Sequence, residues 1–210
     1  MIFSSFKKYL SKLIATPLLG ENAQFKMVPK IRMMELKEKM TSKNSKKAAV
    51  LVLFYPNELG ETCFLLTLRA SYNGTHSDQI SFPGGKKDLR DLNLEATALR
   101  ETYEETGVQI SDIHIFKQMT VVFIPPSNFL VSPFLGITNR RPNFIKNYEV
   151  EELIEVKLSD LLDETNVKYT TLSTSYAQNI EVPCFMLNNY VVWGATAMML
   201  SEIKELIKLM

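Results

Sequence analysis

A continuous apolar run, residues 48–55, places the strongest constraint on the fold of this chain. It is rich in valine and far shorter than a membrane span, and this pattern predicts a strand buried inside a sheet. A second predicted strand, residues 63–69, follows the turn-like segment 56–60. Further strands are predicted at residues 79–82, 113–124, 129–137, 153–156 and as a pair within 180–192, and helices at 94–106, 159–162 and 195–208. Strands interleaved with two substantial helices predict an α/β layered domain.

The composition indicates an ordinary globular protein, with 46% hydrophobic and 22% charged residues among 210. The 24 basic and 23 acidic side chains give a net charge of +1, with no basic excess or stripe. This balance argues against a nucleic-acid binder, whereas a few local cations are enough to bind the phosphate of a small nucleotide. Cys63 and Cys184 are too few and too far apart for a disulfide framework or a zinc site. We expect both to be buried in a reducing, cytoplasmic setting.

Residues 1–46 are predicted to form a helical extension and a linker ahead of a main domain, residues 47–210. Apolar residues recur at helical spacing in the extension, with lysines between them: Ile2, Phe6, Leu10 and Leu13. The lysines interrupt any signal-peptide core, and no stretch reaches the length of a membrane span. We expect this stripe to dock on the domain or on a partner subunit. The alternative is a basic amphipathic helix that lies on a membrane surface.

The helix at residues 94–106 carries three carboxylates, on Glu101, Glu104 and Glu105, within an arc of roughly 100°. Ala96, Leu99 and Tyr103 are predicted to face the core from the opposite side. The like-charge pair of Glu101 and Glu105 costs about 0.2–0.5 kcal/mol in an isolated helix. A divalent cation bound by carboxylate oxygens would offset this repulsion. The alternative is an acidic face in contact with solvent.

Two glycines, Gly84 and Gly85, end a short predicted strand and begin the loop that leads to the acidic helix. Glycines allow a sharp turn and a close approach of the backbone to a ligand. By themselves they indicate only a tight turn. Together with Arg-Glu-x-x-Glu-Glu-x-Gly at residues 100–107 they form a much more specific pattern.

At this point the sequence resembles the Nudix hydrolases. Their box reads Gly, five residues, Glu, seven residues, then Arg-Glu-apolar-x-Glu-Glu-x-Gly-apolar, and residues 100–108 match its second half with Thr102 at the apolar position. In the first half, Asp91 is the acid at family spacing from Gly85, and eight residues precede Arg100. The resemblance implies the Nudix α/β/α sandwich with a mixed central sheet. It also implies metal-dependent cleavage of a phosphoanhydride bond.

A lengthened box of this kind also resembles the coenzyme A diphosphatase branch. That branch carries Leu-Leu-Thr-x-Arg-Ser, then Arg, Gly and Phe-Pro-Gly-Gly at fixed spacing, and residues 65–85 keep the spacing. Three positions differ, namely Ala70, Gly74 and Asp78. With later similar stretches at 126–134, 149–152 and 192–197, the resemblance covers roughly residues 47–200. It implies coenzyme A or an acylated derivative as substrate, with adenosine 3′,5′-bisphosphate and 4′-phosphopantetheine or its acyl form as products.

These patterns assign expected roles to the acidic helix. Glu101, Glu104 and Glu105 are predicted to hold Mg²⁺ or Mn²⁺, which stabilises charge on the phosphorus oxygens and helps to generate the attacking hydroxide. We expect Glu104, Arg100 and Glu101 to be catalytic, with Arg100 orienting the acidic cluster.

Outside the helix, several residues are expected to contact substrate or to act as the base. The expected phosphate and substrate contacts are Arg69, His76, Gly84, Gly85 and Lys86. A general base outside the box remains open among Glu149, Glu151 and Glu152, and each could equally be ordinary strand-edge charge.

Two other functions and one assembly remain open at this level. A Nudix enzyme acting on ADP-ribose or another nucleoside diphosphate compound is favoured by the changes at Gly74 and Asp78. A non-catalytic ligand-binding module of the same fold predicts lost carboxylates, yet all three are present. Dimers are common among similar proteins, so a homodimer is a further expectation, with the N-terminal helix as a candidate interface.

Overall fold

A computed structural model describes residues 1–29, 45–70, 79–174 and 177–210, without the side chains of 173–178. Most of the predicted linker, His76, Gly74 and Asp78 lie outside the described residues. The helices are α1 (Phe3–Lys8), α2 (Leu10–Ala15), α3 (Glu21–Gln24), α4 (Leu94–Thr106), α5 (Leu158–Leu162) and α6 (Gly194–Lys208). The strands are β1 (Lys46–Pro56), β2 (Thr62–Arg69), β3 (Ile80–Ser81), β4 (Gly84–Lys86), β5 (His114–Gln118), β6 (Val122–Ile124), β7 (Phe129–Ile137), β8 (Val150–Lys157), β9 (Val167–Thr174), β10 (Ala177–Leu187) and β11 (Tyr190–Val192).

The central sheet is mixed, as predicted. β1 pairs in parallel with β7 along its length, and its antiparallel partners are β2 and β4. The strand order is β3-β2-β1-β7-β5, with β8 on β2 and β6 on β7, and a separate antiparallel sheet has the order β11-β10-β9. The α/β/α sandwich is therefore confirmed, with β1 at its centre.

Strand β1 explains why residues 48–55 are apolar without alternation. Leu51, Leu53 and Tyr55 pack in a cluster that includes Ala98 of α4. Val52 and Phe54 belong to a larger cluster on the other face, which includes residues of α6 and of the N-terminal extension. A strand covered on both faces needs apolar side chains at every position.

Three details of the predicted elements are wrong. The region 113–124 contains two strands, β5 and β6, whose partners on β7 are different stretches. The sequence predicts a loop at Gly84–Lys86, but this segment is strand β4. It is a strand because Gly84 and Gly85 pair with Val50 and Ala49 at the centre of the sheet. The polar strand β9 was missed, since its exposed face lacks an apolar pattern and its stability depends on pairing with β10.

The N-terminal extension docks on the domain, as predicted. Phe6 and Leu13 are fully buried, and the Phe6 ring lies 5.0 Å from that of Phe54. Backbone hydrogen bonds join Phe3 N–H to the Gly60 carbonyl at 2.9 Å and Thr62 N–H to the Met1 carbonyl at 2.8 Å. No helix among the described residues is long and apolar enough to cross a membrane.

Candidate active site

Helix α4 begins and ends where the sequence predicts. The Asn93 side chain accepts a hydrogen bond from Ala96 N–H at 2.8 Å, which caps the first turn. At the other end, Gly107 adopts a left-handed conformation with φ 73°, which glycine reaches without strain. This places the acidic residues in the last two turns of a rigid helix.

The buried face of α4 differs from the predicted one. Tyr103 is 46% exposed, and Ala96 and Leu99 are only partly buried. Small side chains face the sheet instead, mainly Ala98 and Thr102. The Thr102 hydroxyl donates to the Ala98 carbonyl at 2.7 Å, so this polar group is satisfied where it is buried. The prediction from hydrophobicity alone therefore placed the core-facing side of α4 part of a helical turn away from where it lies.

Glu105 lies on the buried side of α4, whereas the sequence analysis predicted all three carboxylates on the face opposite to the core. Its side chain is almost completely buried, and one carboxylate oxygen accepts a hydrogen bond from Gly84 N–H at 3.1 Å. Burial raises the pKa of Glu105 to about 7, against the opposing effects of the Gly84 bond and the Arg69 charge. The neighbouring Glu101 and Glu149 raise this pKa further.

Arg100 is held by a carboxylate from the preceding loop. Its Nε and Nη2 lie 2.9 and 3.0 Å from the two oxygens of Asp91, which is buried. The same guanidinium contacts Glu101 at 2.9 Å and Glu104 at 3.1 Å. The Arg100 hydrogen bonds hold the pKa of Asp91 well below its usual range. Asp91 thus orients the arginine, and the arginine orients two of the three predicted metal ligands.

The two glycines lie close to the acidic cluster for different reasons. A Cβ atom at Gly84, where φ is 154°, would lie 2.4 Å from the Ala49 carbonyl oxygen of β1. A Cβ atom at Gly85 would instead lie 2.5 Å from the carboxyl carbon of Glu101. Gly84 therefore permits strand pairing, and Gly85 leaves room for the side chain of Glu101.

These residues line one open cleft of about 310 Å³. The described lining residues are Arg69, Gly84, Gly85, Lys86, Glu101, Glu104, Glu105, Asn147 and Glu149. All the predicted metal ligands lie there, with every predicted substrate contact except His76, which is outside the described residues. Arg100 contacts Glu101 and Glu104 but does not itself line the cleft.

Of the three candidates for the general base, Glu149 is the one that lines the cleft. Its carboxylate lies 3.8 Å from the Arg69 guanidinium. Glu151 and Glu152 are exposed on β8, and the Tyr190 hydroxyl donates to Glu152 at 2.5 Å. The geometry therefore favours Glu149 among the three.

Asn147 lines the cleft but was missed in the sequence analysis. Its side-chain oxygen accepts from Glu149 N–H at 2.9 Å, and its own N–H donates to the Glu105 carbonyl at 3.4 Å. Another N–H of this segment, that of Ile145, donates to the Thr106 carbonyl at 2.9 Å. Carbonyls in the last turn of a helix lack partners within the helix, so they can anchor a passing segment. Such a contact between distant segments leaves no local signal in the sequence.

The donor set of the cleft fits a hard divalent cation. In the described parts of the chain, no three Asp, Glu, His or Cys side chains already form a metal-binding group. Glu104 instead contacts Arg100, and Glu105 accepts the Gly84 bond. Carboxylate oxygens are nevertheless the ligands that Mg²⁺ and Mn²⁺ prefer. Partial burial raises the pKa of Glu101 as well, so added positive charge would favour the ionised form of both Glu101 and Glu105.

A family model described as the NUDIX domain matches residues 45–170, more than half of the chain. The chain therefore belongs to the Nudix family. It is 33% identical to the human "Mitochondrial coenzyme A diphosphatase NUDT8" over 66% of this chain and 60% of that protein. It is 29% identical to the Caenorhabditis elegans "Peroxisomal coenzyme A diphosphatase ndx-8" over 80% and 72% of the two chains.

These similarities confirm the resemblance to the coenzyme A diphosphatase branch. The match spans less than two thirds of the human relative. Both relatives are named for an organelle, so a cytoplasmic location remains a prediction for this chain.

A solved structure supports the fold. The crystal structure of a Nudix hydrolase from M. smegmatis, RenU, superposes with a TM-score of 0.56 at 17% identity. The superposition covers 79% of this chain and 88% of that chain.

Proposed function

We propose that this Nudix-family protein is a hydrolase of phosphorus-containing acid anhydrides, and that it cleaves the diphosphate bond of coenzyme A or an acylated derivative with Mg²⁺ or Mn²⁺ as cofactor. The products are adenosine 3′,5′-bisphosphate and 4′-phosphopantetheine or its acyl form. The observation that carries this proposal is the similarity to two proteins named coenzyme A diphosphatase. The acidic cleft supports it, because its carboxylates would hold a divalent cation that attracts a diphosphate, and Arg69 and Lys86 add positive charge.

Glu101, Glu104 and Glu105 would hold the cation. When bound, Mg²⁺ or Mn²⁺ stabilises the negative charge that develops on the phosphoryl oxygens. Arg100 keeps Glu101 and Glu104 oriented, since it contacts both carboxylates while Asp91 fixes the guanidinium. Glu105 is fixed separately by its bond to Gly84 N–H.

The diphosphate would be bound by two positively charged side chains that line the cleft. Arg69 reaches it from the end of β2 and Lys86 from β4, and both line the cleft. Gly85 has no side chain between the backbone and Glu101, so a phosphate group can approach this edge closely. Positioning and charge stabilisation account for most of the catalysis of phosphoryl transfer.

Glu149 would accept the proton of the attacking water. It enters the cleft on a turn that Asn147 closes, and its charge helps to raise the pKa of Glu101 and of Glu105. A carboxylate that is fixed by its backbone can hold a water without ordering a loop at each turnover.

The test is incubation of the purified full-length protein with coenzyme A and Mg²⁺ or Mn²⁺, with products resolved by mass. We expect adenosine 3′,5′-bisphosphate, with turnover reduced by orders of magnitude in Glu104→Gln and Glu105→Gln. Glu95→Gln is the matched control, because Glu95 is an exposed carboxylate in the first turn of α4, outside the cleft. Wild-type turnover in either cleft variant would contradict the role of the acidic cluster.

A second specificity is favoured by one sequence observation, the replacement of the branch's Arg and Gly by Gly74 and Asp78. In that case the substrate is ADP-ribose or another nucleoside diphosphate compound. Rapid turnover of ADP-ribose with no adenosine bisphosphate formed from coenzyme A would support it and remove the coenzyme A proposal.

A further inference from the structure

The smaller sheet of the molecule has an open edge. Its strand order is β11-β10-β9, so among the described strands β9 pairs with β10 alone. Lys168, Tyr169 and Thr171 of β9 are exposed, Tyr169 to 67%. A strand at the edge of a sheet presents unpaired N–H and C=O groups, to which a further strand can bind.

The turn between β10 and β11 shows which residues of β10 bond to which neighbouring strand. Its two central residues, Asn188 and Asn189, have positive φ angles of 49° and 66°, as in a type I′ hairpin turn. The flanking residues Leu187 and Tyr190 are paired, and in a two-residue hairpin such a pair exchanges both hydrogen bonds. Odd-numbered residues of β10 therefore bond towards β11, and even-numbered residues bond towards β9.

Pro183 of β10 agrees with this alternation. Proline has no N–H, so within sheets it occurs where its nitrogen needs no hydrogen-bond acceptor. Pro183 is opposite Tyr169, whereas β11 pairs with β10 only from Phe185 to Leu187. The Pro183 nitrogen therefore points to the side of β10 on which no described strand pairs with it.

The same alternation decides which groups of β9 face its open edge. Lys168 is opposite Cys184 and Thr170 is opposite Val182, so these two residues of β9 bond to β10. The N–H and C=O groups of Tyr169 and Thr171 then point away from β10, towards the open edge.

Other edges of the described sheets are short, irregular or occupied. In β8, the Glu155 carbonyl accepts from the Asn188 amide at 3.0 Å, and the Val150 carbonyl accepts from the Lys146 ammonium at 3.1 Å. Strand β5 has five residues, and its pairing with β7 contains a register shift. Such features protect an edge from further pairing. Strand β9 has eight residues and lacks these features between Val167 and Leu172.

A second copy of β9 is complementary to this edge. When two identical strands pair antiparallel about a two-fold axis, one residue is opposite itself. With Thr170 on the axis, Tyr169 of each chain is opposite Thr171 of the other, and each such pair can exchange two hydrogen bonds. An aromatic ring opposite a β-branched residue is a favourable cross-strand pair. Lys168 is opposite Leu172, so no like charges are directly opposed.

We propose that two copies of this chain form a dimer by antiparallel pairing of their β9 strands, with Thr170 on the two-fold axis. The N-terminal helix, the candidate interface from the sequence, is used within the chain, since Phe6 and Leu13 are fully buried. The described lining of the cleft includes no residue of β9, so the cleft of each copy stays open. A single strand pair is a small interface, so the dimer should dissociate on dilution.

Sedimentation velocity of the full-length protein over a range of concentrations tests for this dimer. We expect the wild type to approach twice the monomer mass at high concentration. Thr171→Pro removes one outward N–H from each strand and no bond to β10. It should therefore weaken dimerisation by about tenfold or more, with a melting temperature close to that of the wild type. Thr171→Val keeps the N–H and is the matched control, which should dimerise as the wild type does.

Cysteine cross-linking tests the register and does not require proline to be tolerated. The native Cys63 and Cys184 are buried. Thr170→Cys places two thiols opposite each other, with Cβ atoms about 4.5–5.5 Å apart, so oxidation should yield a disulfide-linked dimer. Tyr169→Cys is the comparison, because its two copies are diagonal neighbours about 7–8 Å apart, too distant to be bridged without backbone movement.

The proposal fails if the wild type is monomeric at every concentration, or if a folded Thr171→Pro dimerises as the wild type does. It also fails if Thr170→Cys forms no cross-linked dimer, or if Tyr169→Cys cross-links as readily. Should Thr171→Pro lose its fold, the cross-links alone decide. These measurements use no substrate, so they are independent of whether coenzyme A is hydrolysed.

Discussion

The carboxyl group of Glu105 combines burial with a place in the acidic cleft. Its pKa is raised to about 7 in the folded protein from an ordinary value of 4.5, chiefly by desolvation. Between these two values the folded state holds a proton that the unfolded chain has lost. The metal-free protein is therefore expected to lose stability as the pH rises from about 4.5 through about 7, by about 3 kcal/mol from this group.

Urea denaturation in the presence of a chelator, at about pH 5 and about pH 8, measures this effect. Glu105→Gln cannot ionise, so the difference in the free energy of unfolding between the two pH values should shrink in this variant. If the free energy of unfolding falls equally in wild type and variant between these pH values, Glu105 does not titrate in this range.

Gly84 and Gly85 are adjacent, yet we expect alanine to act differently at the two positions. At Gly84 the new Cβ would meet the backbone of β1, so Gly84→Ala should destabilise the fold. At Gly85 it would meet the movable carboxylate of Glu101, so Gly85→Ala should fold and displace this proposed metal ligand. A displacement of about 1 Å can reduce turnover by about 100-fold.

Thermal unfolding and kcat, measured on both variants, separate these effects. Gly85→Ala should keep the wild-type melting temperature but have a lower kcat. Gly84→Ala should have a lower melting temperature than the wild type. Equal turnover of Gly85→Ala and wild type would mean that Glu101 need not stay where it lies.

Among the elements, α4 and the loop before it act as one unit. Asp91 accepts bonds from Arg100, from the Thr97 hydroxyl at 2.9 Å and from Asp88 N–H at 2.8 Å. We expect Asp91→Ala to reduce the free energy of unfolding by about 2–3 kcal/mol, because it leaves several donors without their acceptor. Turnover should fall as well, because Arg100 would no longer be held against Glu101 and Glu104.

Asp88→Ala provides the comparison for Asp91→Ala within the same loop. Asp88 pairs with the exposed Arg90, and exposed ion pairs contribute little to stability. Chemical denaturation of both variants measures the difference. Similar losses in the two variants would contradict the special role assigned to the buried carboxylate.

At the scale of the whole molecule, the N-terminal extension completes the core on one face of the sheet. Phe6 is fully buried against Phe54, so Phe6→Ala should cost about 3–5 kcal/mol. Ile2→Ala is the control, because Ile2 is 51% exposed on the same segment. Denaturation curves that barely separate Phe6→Ala from Ile2→Ala would show that the extension is only loosely attached.

The buried carboxylate of Glu202 on α6 joins three parts of the molecule. It accepts hydrogen bonds from Gly20 N–H at 2.9 Å, from the Gln24 amide at 3.0 Å and from the Thr120 hydroxyl at 2.6 Å. Hydrogen bonds of this kind make the burial of a carboxylate tolerable. The extension is therefore held by polar contacts as well as by its apolar stripe.

Local chemistry in the sequence predicted most of the elements and most of the residues of the candidate site. The bounds of α4 follow from Asn93 and Gly107, and a two-sided buried strand follows from the apolar run of β1. The spacing of the glycines, the arginine and the three glutamates identified the cleft's main residues, because these lie within one short stretch of chain.

Only the tertiary structure decided how these residues are used. The pairing of β4 with β1 buries Glu105, and the segment at Asn147 reaches the cleft by bonding to the last carbonyls of α4. The core-facing side of α4 depends on how closely the sheet approaches, which favours small residues over the more hydrophobic Tyr103. Burial and contacts between distant segments are properties of the packed molecule, so no local pattern in the sequence could have specified them.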